Sequence, residues 1–349
     1  MSITLIETER LILRPFTAED EPVIRAIAED TDTTRYLYWW GRDGWTPEAD
    51  TQRFLYEHVL PEWQKQPVRC MEYAVVRKSD GAVMGDASIE YLTDTEGEIG
   101  WILLPEYRGQ GYITEAGQAL LRQGFEEMGL LRVVAHCDSR NVKSSNVMER
   151  LGMSFRQLAP GARTMKNGVR GDESTYAIEK AAWWWKTHGS ESYVKQTRQK
   201  IGHDLLVFAG ASVFMYCDGC LLLQKRADDG TWSIHGGCVE PGERTEDTAR
   251  REVEEETGLR CLNMRYVGTY SGENGYHTYP NGDLAWIIDT VYLCTEWEGE
   301  ITMQEGEVAD LRWFPIDALP PQEQWPSNIY SYLPDCLKLI RAYEAERQP

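Results

Sequence analysis

Apolar and polar positions alternate from Thr8 to Pro15 as in a half-buried strand, and Thr17-Ala18-Glu19-Asp20 follows with the residues of a helix cap and an acidic first turn. Two further strands, Glu72 to Val76 and Val83 to Tyr91, flank Ser79-Asp80-Gly81, a composition that favours a tight turn. Glu98 to Leu104 reads as a strand running into Pro105-Glu106-Tyr107-Arg108-Gly109-Gln110-Gly111-Tyr112, after which a helical pattern extends from about Thr114 to Met128. A strand over Leu131 to Cys137, a helix over Ser144 to Leu151 and a stop at Gly152 follow.

The pattern changes between Lys180 and Ser192, where Trp183-Trp184-Trp185 precedes a short polar stretch. Strands over Leu205 to Tyr216 and Cys220 to Lys225 then bracket the turn residues Asp218-Gly219, and an acidic helix spans Thr245 to Thr257 before further strands through Phe314. A length of 349 residues exceeds one ordinary core, so the expected division is residues 1–182, a connecting segment 183–191, and residues 192–349. The two parts share no internal repeat. With no apolar segment next to them, the three tryptophans read as packing for the connection rather than a membrane-interface belt.

A formal net charge of −20 argues against holding nucleic acid by its phosphates, which takes concentrated Lys and Arg. No apolar run is long enough to span a membrane, and the start lacks a basic flank before an apolar core, so a cytoplasmic protein is expected. Eight cysteines without a paired framework fit a reducing compartment, and the Cys217/Cys220 pair has no second pair with which to form a zinc site.

The densest pattern is Gly236-Gly237, Glu243 and Arg251-Glu252-Val253-Glu254-Glu255-Glu256-Thr257-Gly258. On a helix, Glu252 stands three and four residues before Glu255 and Glu256, so three carboxylates share one side at a repulsive cost of a few tenths of a kcal/mol per pair. Hard divalent cations take such oxygens, and Mg²⁺ combines carboxylates with substrate phosphates. A solvated acidic face explains the charges but not the fixed offsets of the glycines and Glu243. This stretch resembles the Nudix hydrolase box, with resemblance from about Ser192 to Ile340. The likeness implies an α/β/α sandwich that hydrolyses nucleoside diphosphate derivatives. It also implies Mg²⁺, or Mn²⁺, held by Glu252, Glu255, Glu256 and a loop carbonyl at Gly236 or Gly237, with Arg251 and Glu243 orienting the cluster. Candidates for the base that activates water are Glu255 and, as the resemblance implies, Glu305 or Glu307 in the loop before Arg312. His235 stands where related sequences usually carry proline, and it loosens the loop, adds a titrating contact to phosphate, or serves as structural filler. Tyr276 to Asp283 is an aromatic, turn-rich segment suited to stacking a base. ADP-ribose, a sugar nucleotide, a dinucleoside polyphosphate and an oxidised nucleotide all remain open as substrates.

In the first part, glycines at 109 and 111 between a strand and a helix allow backbone amides to approach a diphosphate. Together with Thr8 to Pro15, and with Asn141-Val142-Lys143-Ser144 ahead of Glu149-Arg150-Leu151-Gly152-Met153, this turn resembles the GNAT acetyltransferases, particularly those acting on ribosomal-protein N-termini, over about residues 3–180. The resemblance implies acetyl-CoA, its pyrophosphate on the amides of Arg108, Gly109, Gln110, Gly111, Tyr112 and Ile113. Its pantetheine would lie beside Ile102, Leu103 and Leu104, with Asn141 and Ser144 in contact. An amine acceptor must lose a proton, for which Glu98 is the candidate base and Glu96 the reserve. Ile113 fills a slot often held by Gly or Ala and is expected to crowd the phosphate turn. Met148 replaces the tyrosine that many relatives use to protonate the departing thiolate, leaving Ser144, water or no protein acid. Tyr36, Tyr38, Trp39, Trp40 and Trp45 are candidates to wall the acceptor pocket.

The whole reads as an α/β (α+β) chain, a GNAT fold followed by a Nudix sandwich. Its expected partners are a small-molecule or peptide amine and a nucleotide diphosphate, with neither nucleic acid nor membrane. The alternatives are that the second part only senses a nucleotide, or that the first is a non-catalytic scaffold.

Overall fold

The computed structural model describes residues 5–37, 46–164, 170–189 and 191–347. The chain forms two compact units that divide between His188 and Gly189.

The first unit opens with strands β1 (Ile6–Glu7) and β2 (Leu11–Pro15), so the expected single strand is a hairpin. Helices α1 (Glu21–Glu29), α2 (Thr31–Thr34), α3 (Pro47–Thr51) and α4 (Leu60–Glu62) follow, the last two joined by a π-helical stretch, Gln52–Val59. Strands β3 (Cys70–Arg77), β4 (Val83–Tyr91) and β5 (Glu96–Leu103) lead into helix α5 (Tyr112–Arg122), then strand β6 (Arg132–Asp138) and helix α6 (Val142–Arg150). The unit closes with β7 (Ser154–Thr164), β8 (Arg170–Glu179) and helix α7 (Lys180–His188). Sheet order is β1-β2-β3-β4-β5-β6-β8-β7. Alternation divides the strands between two cores: Met71, Tyr73 and Val75 of β3 pack with α5 residues, whereas Ala74 and Val76 pack with α1.

The second unit begins with helix α8 (Tyr193–Ile201) and strands β9 (Leu206–Cys217), β10 (Cys220–Arg226), β11 (Trp232–Ser233) and β12 (His235–Cys238). Helix α9 (Thr245–Thr257) follows and ends at Gly258 in the left-handed conformation, φ +72°. Strands β13 (Arg260–Tyr270), β14 (Tyr276–Thr278), β15 (Leu284–Glu298) and β16 (Val308–Pro315) precede helix α10 (Ser327–Arg347). The sheet is crossed by a parallel pairing of β9 with β15, Leu206↔Ala285 through Met215↔Cys294. Ala211, Val213 and Met215 of β9 face Ala249 and Val253 of α9, while Phe214 and Tyr216 join Tyr332, Leu333 and Cys336 of α10 on the opposite side. Helices thus cover both faces, giving the expected α/β/α layering. Among the described residues no helix is long and apolar enough to cross a membrane.

Trp183 sits within the expected connecting segment, yet it is buried in the first unit with its ring centroid 5.2 Å from that of Phe125. Lys180 Nζ donates to Phe125 O and Lys186 Nζ to Gly152 O, tying α7 down at both ends. Removing so large a buried ring leaves a cavity. Trp183→Ala is expected to destabilise the first unit by about 3–5 kcal/mol, read as an earlier urea transition for that unit alone; an unchanged midpoint would contradict this packing role.

Candidate active sites

In the second unit Glu243 and two carboxylates of α9 converge on one cation. Arg251 Nε donates to Glu243 Oε1 at 2.9 Å, and its Nη1 donates to Glu252 Oε1 at 2.7 Å and to Glu255 Oε2 at 3.1 Å. Its Nη2 reaches Cys238 O at 3.2 Å, linking the helix to β12. Glu243 is fixed in turn by the Thr248 hydroxyl at 2.7 Å. Glu256 faces the loop instead: Gly236 N–H donates to its Oε2 at 3.3 Å, and His235 Nδ1 lies 3.1 Å from the same oxygen. His235 is wholly buried, its ring packed beside Glu256 rather than facing solvent.

The Gly236–Gly237 pair is what lets α9 come so close. A Cβ on Gly237 would stand 2.4 Å from Glu252 Oε1, so any side chain there would displace the carboxylate. In an extended residue the N–H and C=O point to the same side, so the Gly236 carbonyl opens toward α9 as its N–H does, whereas Gly237 O lies toward Gly210 of β9. Burial, reinforced by the charges of Glu256 and Glu255 against the opposing Arg251, raises the Glu252 pKa to about 7. Four carboxylates, Glu243 included, against one guanidinium leave a surplus of negative charge on hard oxygen donors, and this set fits a divalent cation of the magnesium type.

Glu255 is more exposed than Glu252 and is ion-paired with Arg251. Glu305 and Glu307 lie in the turn before β16, where Ala227 N–H donates to Glu307 O at 3.0 Å. That loop is tied to the end of α9 by Thr302 N–H donating to Thr257 O at 2.8 Å. A pocket opens beside Gly236 and Gly237, and His277 and Tyr279 of the aromatic segment line it; Tyr276 is exposed.

In the first unit β5 and β6 run parallel for only three residue pairs, Glu96↔Arg132, Gly97↔Val133 and Glu98↔Val134, and then part. Ile99 to Leu103 continue paired to β4 alone, while β6 continues against β8. Glu98 stands at the fork. Burial, then the nearby charges of Glu90 and Glu173 set against Arg163, raises its pKa to about 7. His136 Nε2 is 4.0 Å from Glu98 Oε2, and Arg163 Nε is 2.9 Å from Glu173 Oε2. Glu96 is instead ion-paired with Arg132 at 3.4 Å.

Beyond the fork, Gly111 precedes α5 with φ +80°, a conformation costly for any residue with a side chain. The first-turn amides of α5 have no intrahelical acceptors and concentrate positive potential at the turn. Arg108 differs from the residues after it: its amide donates to Pro105 O, and its guanidinium is held by Leu103 O, Asp32 and Thr33. The expected crowding by Ile113 does not arise, because its side chain turns into the core. Arg10, which motif reading missed, lies over the Tyr112 ring at 4.7 Å, donates to Gln110 O at 3.0 Å and is ion-paired with Glu115 Oε2 at 2.6 Å, so it braces the turn. Its only sequence signal is its place in the strand-like start; the hairpin of β1 and β2 brings it across.

Asn141 caps α6, its Oδ1 accepting Ser144 N–H at 3.3 Å. Met148 is buried in the core with 1% exposure and has no proton to offer a thiolate. Of the aromatic acceptor-wall candidates, Tyr36 is half-buried, and Tyr38, Trp39, Trp40 and Trp45 lie outside the described residues.

Comparison with known proteins follows the same division. A family model described as an acetyltransferase (GNAT) domain matches residues 10–154, and one described as a NUDIX domain matches residues 208–336. The chain is 30% identical over 182 residues to an uncharacterized N-acetyltransferase, YnaD, of Bacillus subtilis, covering 51% of this chain and 98% of that protein. It is 38% identical over 104 residues to the nucleoside triphosphatase NudI of Escherichia fergusonii, 28% of this chain and 73% of that one. Against the NAD-capped RNA hydrolase NudC of Actinobacillus succinogenes the identity is 36%, over 29% of this chain and 36% of the relative. Similar solved structures include a GNAT acetyltransferase from Bacillus anthracis, 29% identical with TM-score 0.44, covering 51% of this chain and 99% of that one. A MutT NUDIX hydrolase from Burkholderia pseudomallei is 27% identical with TM-score 0.32, covering 37% and 98%.

A base at Glu98 works only as the carboxylate, which forms as pH rises through about 7. Acetyl transfer to an amine is therefore expected to climb over that range and level above it. Glu98→Gln should lower the rate roughly a hundredfold or more and abolish the inflection; a mutant profile that keeps it would assign the titration elsewhere.

Proposed function

Since the chain belongs to the GNAT acetyltransferases through its first unit and to the NUDIX family through its second, we propose that it is a bifunctional enzyme. In this reading it combines an acetyl-CoA-dependent N-acetyltransferase for a small-molecule or peptide amine, residues 1–182, with a Mg²⁺-dependent hydrolase of nucleoside diphosphate derivatives, residues 192–349. The observation that carries the second activity is the approach of Glu252 and Glu256 to the Gly236–Gly237 loop, with Glu255 joined to Glu252 through Arg251.

Glu252, Glu255, Glu256 and the Gly236 carbonyl would hold the cation. When bound, a divalent ion neutralises phosphate oxygens and lowers the pKa of attacking water. Arg251 and Glu243 keep the carboxylates oriented, and His235 fixes Glu256 from behind. Glu255, or Glu307 from the loop anchored to the end of α9, takes the proton from water. Residues Gly109 to Ile113 receive the cofactor's pyrophosphate at the start of α5, in a turn that Arg10 braces. Arg108 acts chiefly by bracing the turn through Leu103 O and α2. Beyond the fork the edge at Ile102, Leu103 and Leu104 is not paired to β6 and suits an extended pantetheine amide chain, with the Leu103 carbonyl already taken by Arg108. Asn141 and Ser144 border it at the start of α6, and Glu98 deprotonates the acceptor amine.

Glu256→Gln is expected to reduce Mg²⁺-dependent release of nucleoside monophosphate at least a hundredfold, in the range typical for loss of one group stabilising the transition state, with acetyl transfer retained. Assaying both reactions on one preparation checks this, and full hydrolysis by the variant would refute the assignment.

A further inference from the structure

The pocket beside Gly236 and Gly237 holds two buried acceptor oxygens without hydrogen-bond partners among the described residues, Asp289 Oδ1 and Asn328 Oδ1. Asp289 lies on β15 with 3% exposure and Asn328 at the start of α10 with 6%. A buried acceptor left unpaired costs on the order of 1–3 kcal/mol, which makes two of them lining one pocket a demand for donors.

Their neighbours hold these side chains without satisfying the free oxygens. The Ser212 hydroxyl donates to Asp289 Oδ2 at 2.8 Å, and the Tyr332 hydroxyl interacts with both Asp289 and Asn328. Position 210, which also lines the pocket, is a glycine; a Cβ there would stand 3.1 Å from Asp289 Oδ1 and narrow its approach. Phe208, Ile287 and Ile329 add apolar walls suited to a flat ring. Because Gly236 and Gly237 border both the pocket and the carboxylate cluster, a nucleotide with its diphosphate at the cluster can place its base in the pocket.

We infer that Asp289 and Asn328 select a guanine-type base, their free oxygens accepting hydrogen bonds from its adjacent ring N–H and exocyclic amino group. This inference rests on the hydrolase reading only for the nucleotide's orientation. Among common bases, guanine presents two neighbouring donors on one edge; hypoxanthine lacks the amino group, and adenine turns a ring acceptor toward the same oxygens. A site built to pair a particular N–H rejects analogues that lack it, because its own polar groups are then left unpaired. Burial raises the Asp289 pKa to about 6, which leaves the carboxylate predominant at pH 8.

Equilibrium binding of GMP, IMP and AMP to the full chain at pH 8 with magnesium tests this without any substitution. GMP is expected to bind roughly tenfold or more tighter than either analogue. Asp289→Asn, which turns an amide donor toward the base, should erase most of that preference, and Asn328→Leu should weaken it. Equal affinity for the three nucleotides, tighter AMP binding, or an undiminished preference in both variants would overturn the inference. If a variant fails to fold, the parent ratios decide. Nucleotide hydrolysis with no base preference would defeat this inference and spare the hydrolase reading; a clear GMP preference with no hydrolysis of any diphosphate would do the reverse.

Discussion

One guanidinium organises the second unit's site. Arg251 spends its donors on Glu243, Glu252, Glu255 and the Cys238 carbonyl, and so fixes the helix that carries the carboxylates to the loop that faces them. Without such a partner, like charges three and four residues apart repel, and a carboxylate as buried as Glu252 favours its neutral form. The arrangement leaves more negative charge than Arg251 cancels. That surplus, on hard oxygen atoms beside a bare backbone, is the physical reason to expect a divalent cation.

The first unit solves a related problem by backbone geometry. A sheet that stayed zipped between β5 and β6 would offer no entry; because pairing ends at Glu98, the edge beyond it is open and that half-buried carboxylate stands at the opening. The left-handed Gly111 then starts α5 so that its free amides gather at the same turn, with Arg10 adjacent. In both units a glycine-bearing turn brings backbone against the helix or strand that carries the chemistry, and a burial-raised carboxylate near pH 7 sits within reach.

Local chemistry was legible in the residues; long-range assembly was not. The acidic helix from Thr245 to Thr257 and the strand from Val83 to Tyr91 follow directly from spacing and turn residues, and the stop at Gly258 follows from its freedom at positive φ. The Glu256 contact of His235 was not legible, because it requires β12 to lie beside α9, a tertiary fact. Asp289 and Asn328 carry no local signature either; they line one pocket only because β15 pairs with β9 and α10 returns over that face. Ile113 was misread for the same reason, since its position in the turn is clear from sequence but the direction of its side chain is set by the core. The β7–β8 hairpin and α10 escaped the pattern reading: β7 is largely exposed and lacks a clean apolar alternation, and α10 contains Pro334.

The most direct test of the central claim is a Mn²⁺ titration of the full-length chain, followed by the enhancement of water proton relaxation, with and without Glu252→Gln. The account predicts saturable binding that weakens at least tenfold in the variant, the equivalent of about 1.4 kcal/mol. Superimposable isotherms for the two proteins would contradict it, showing that the carboxylates gathered by Arg251 hold no metal.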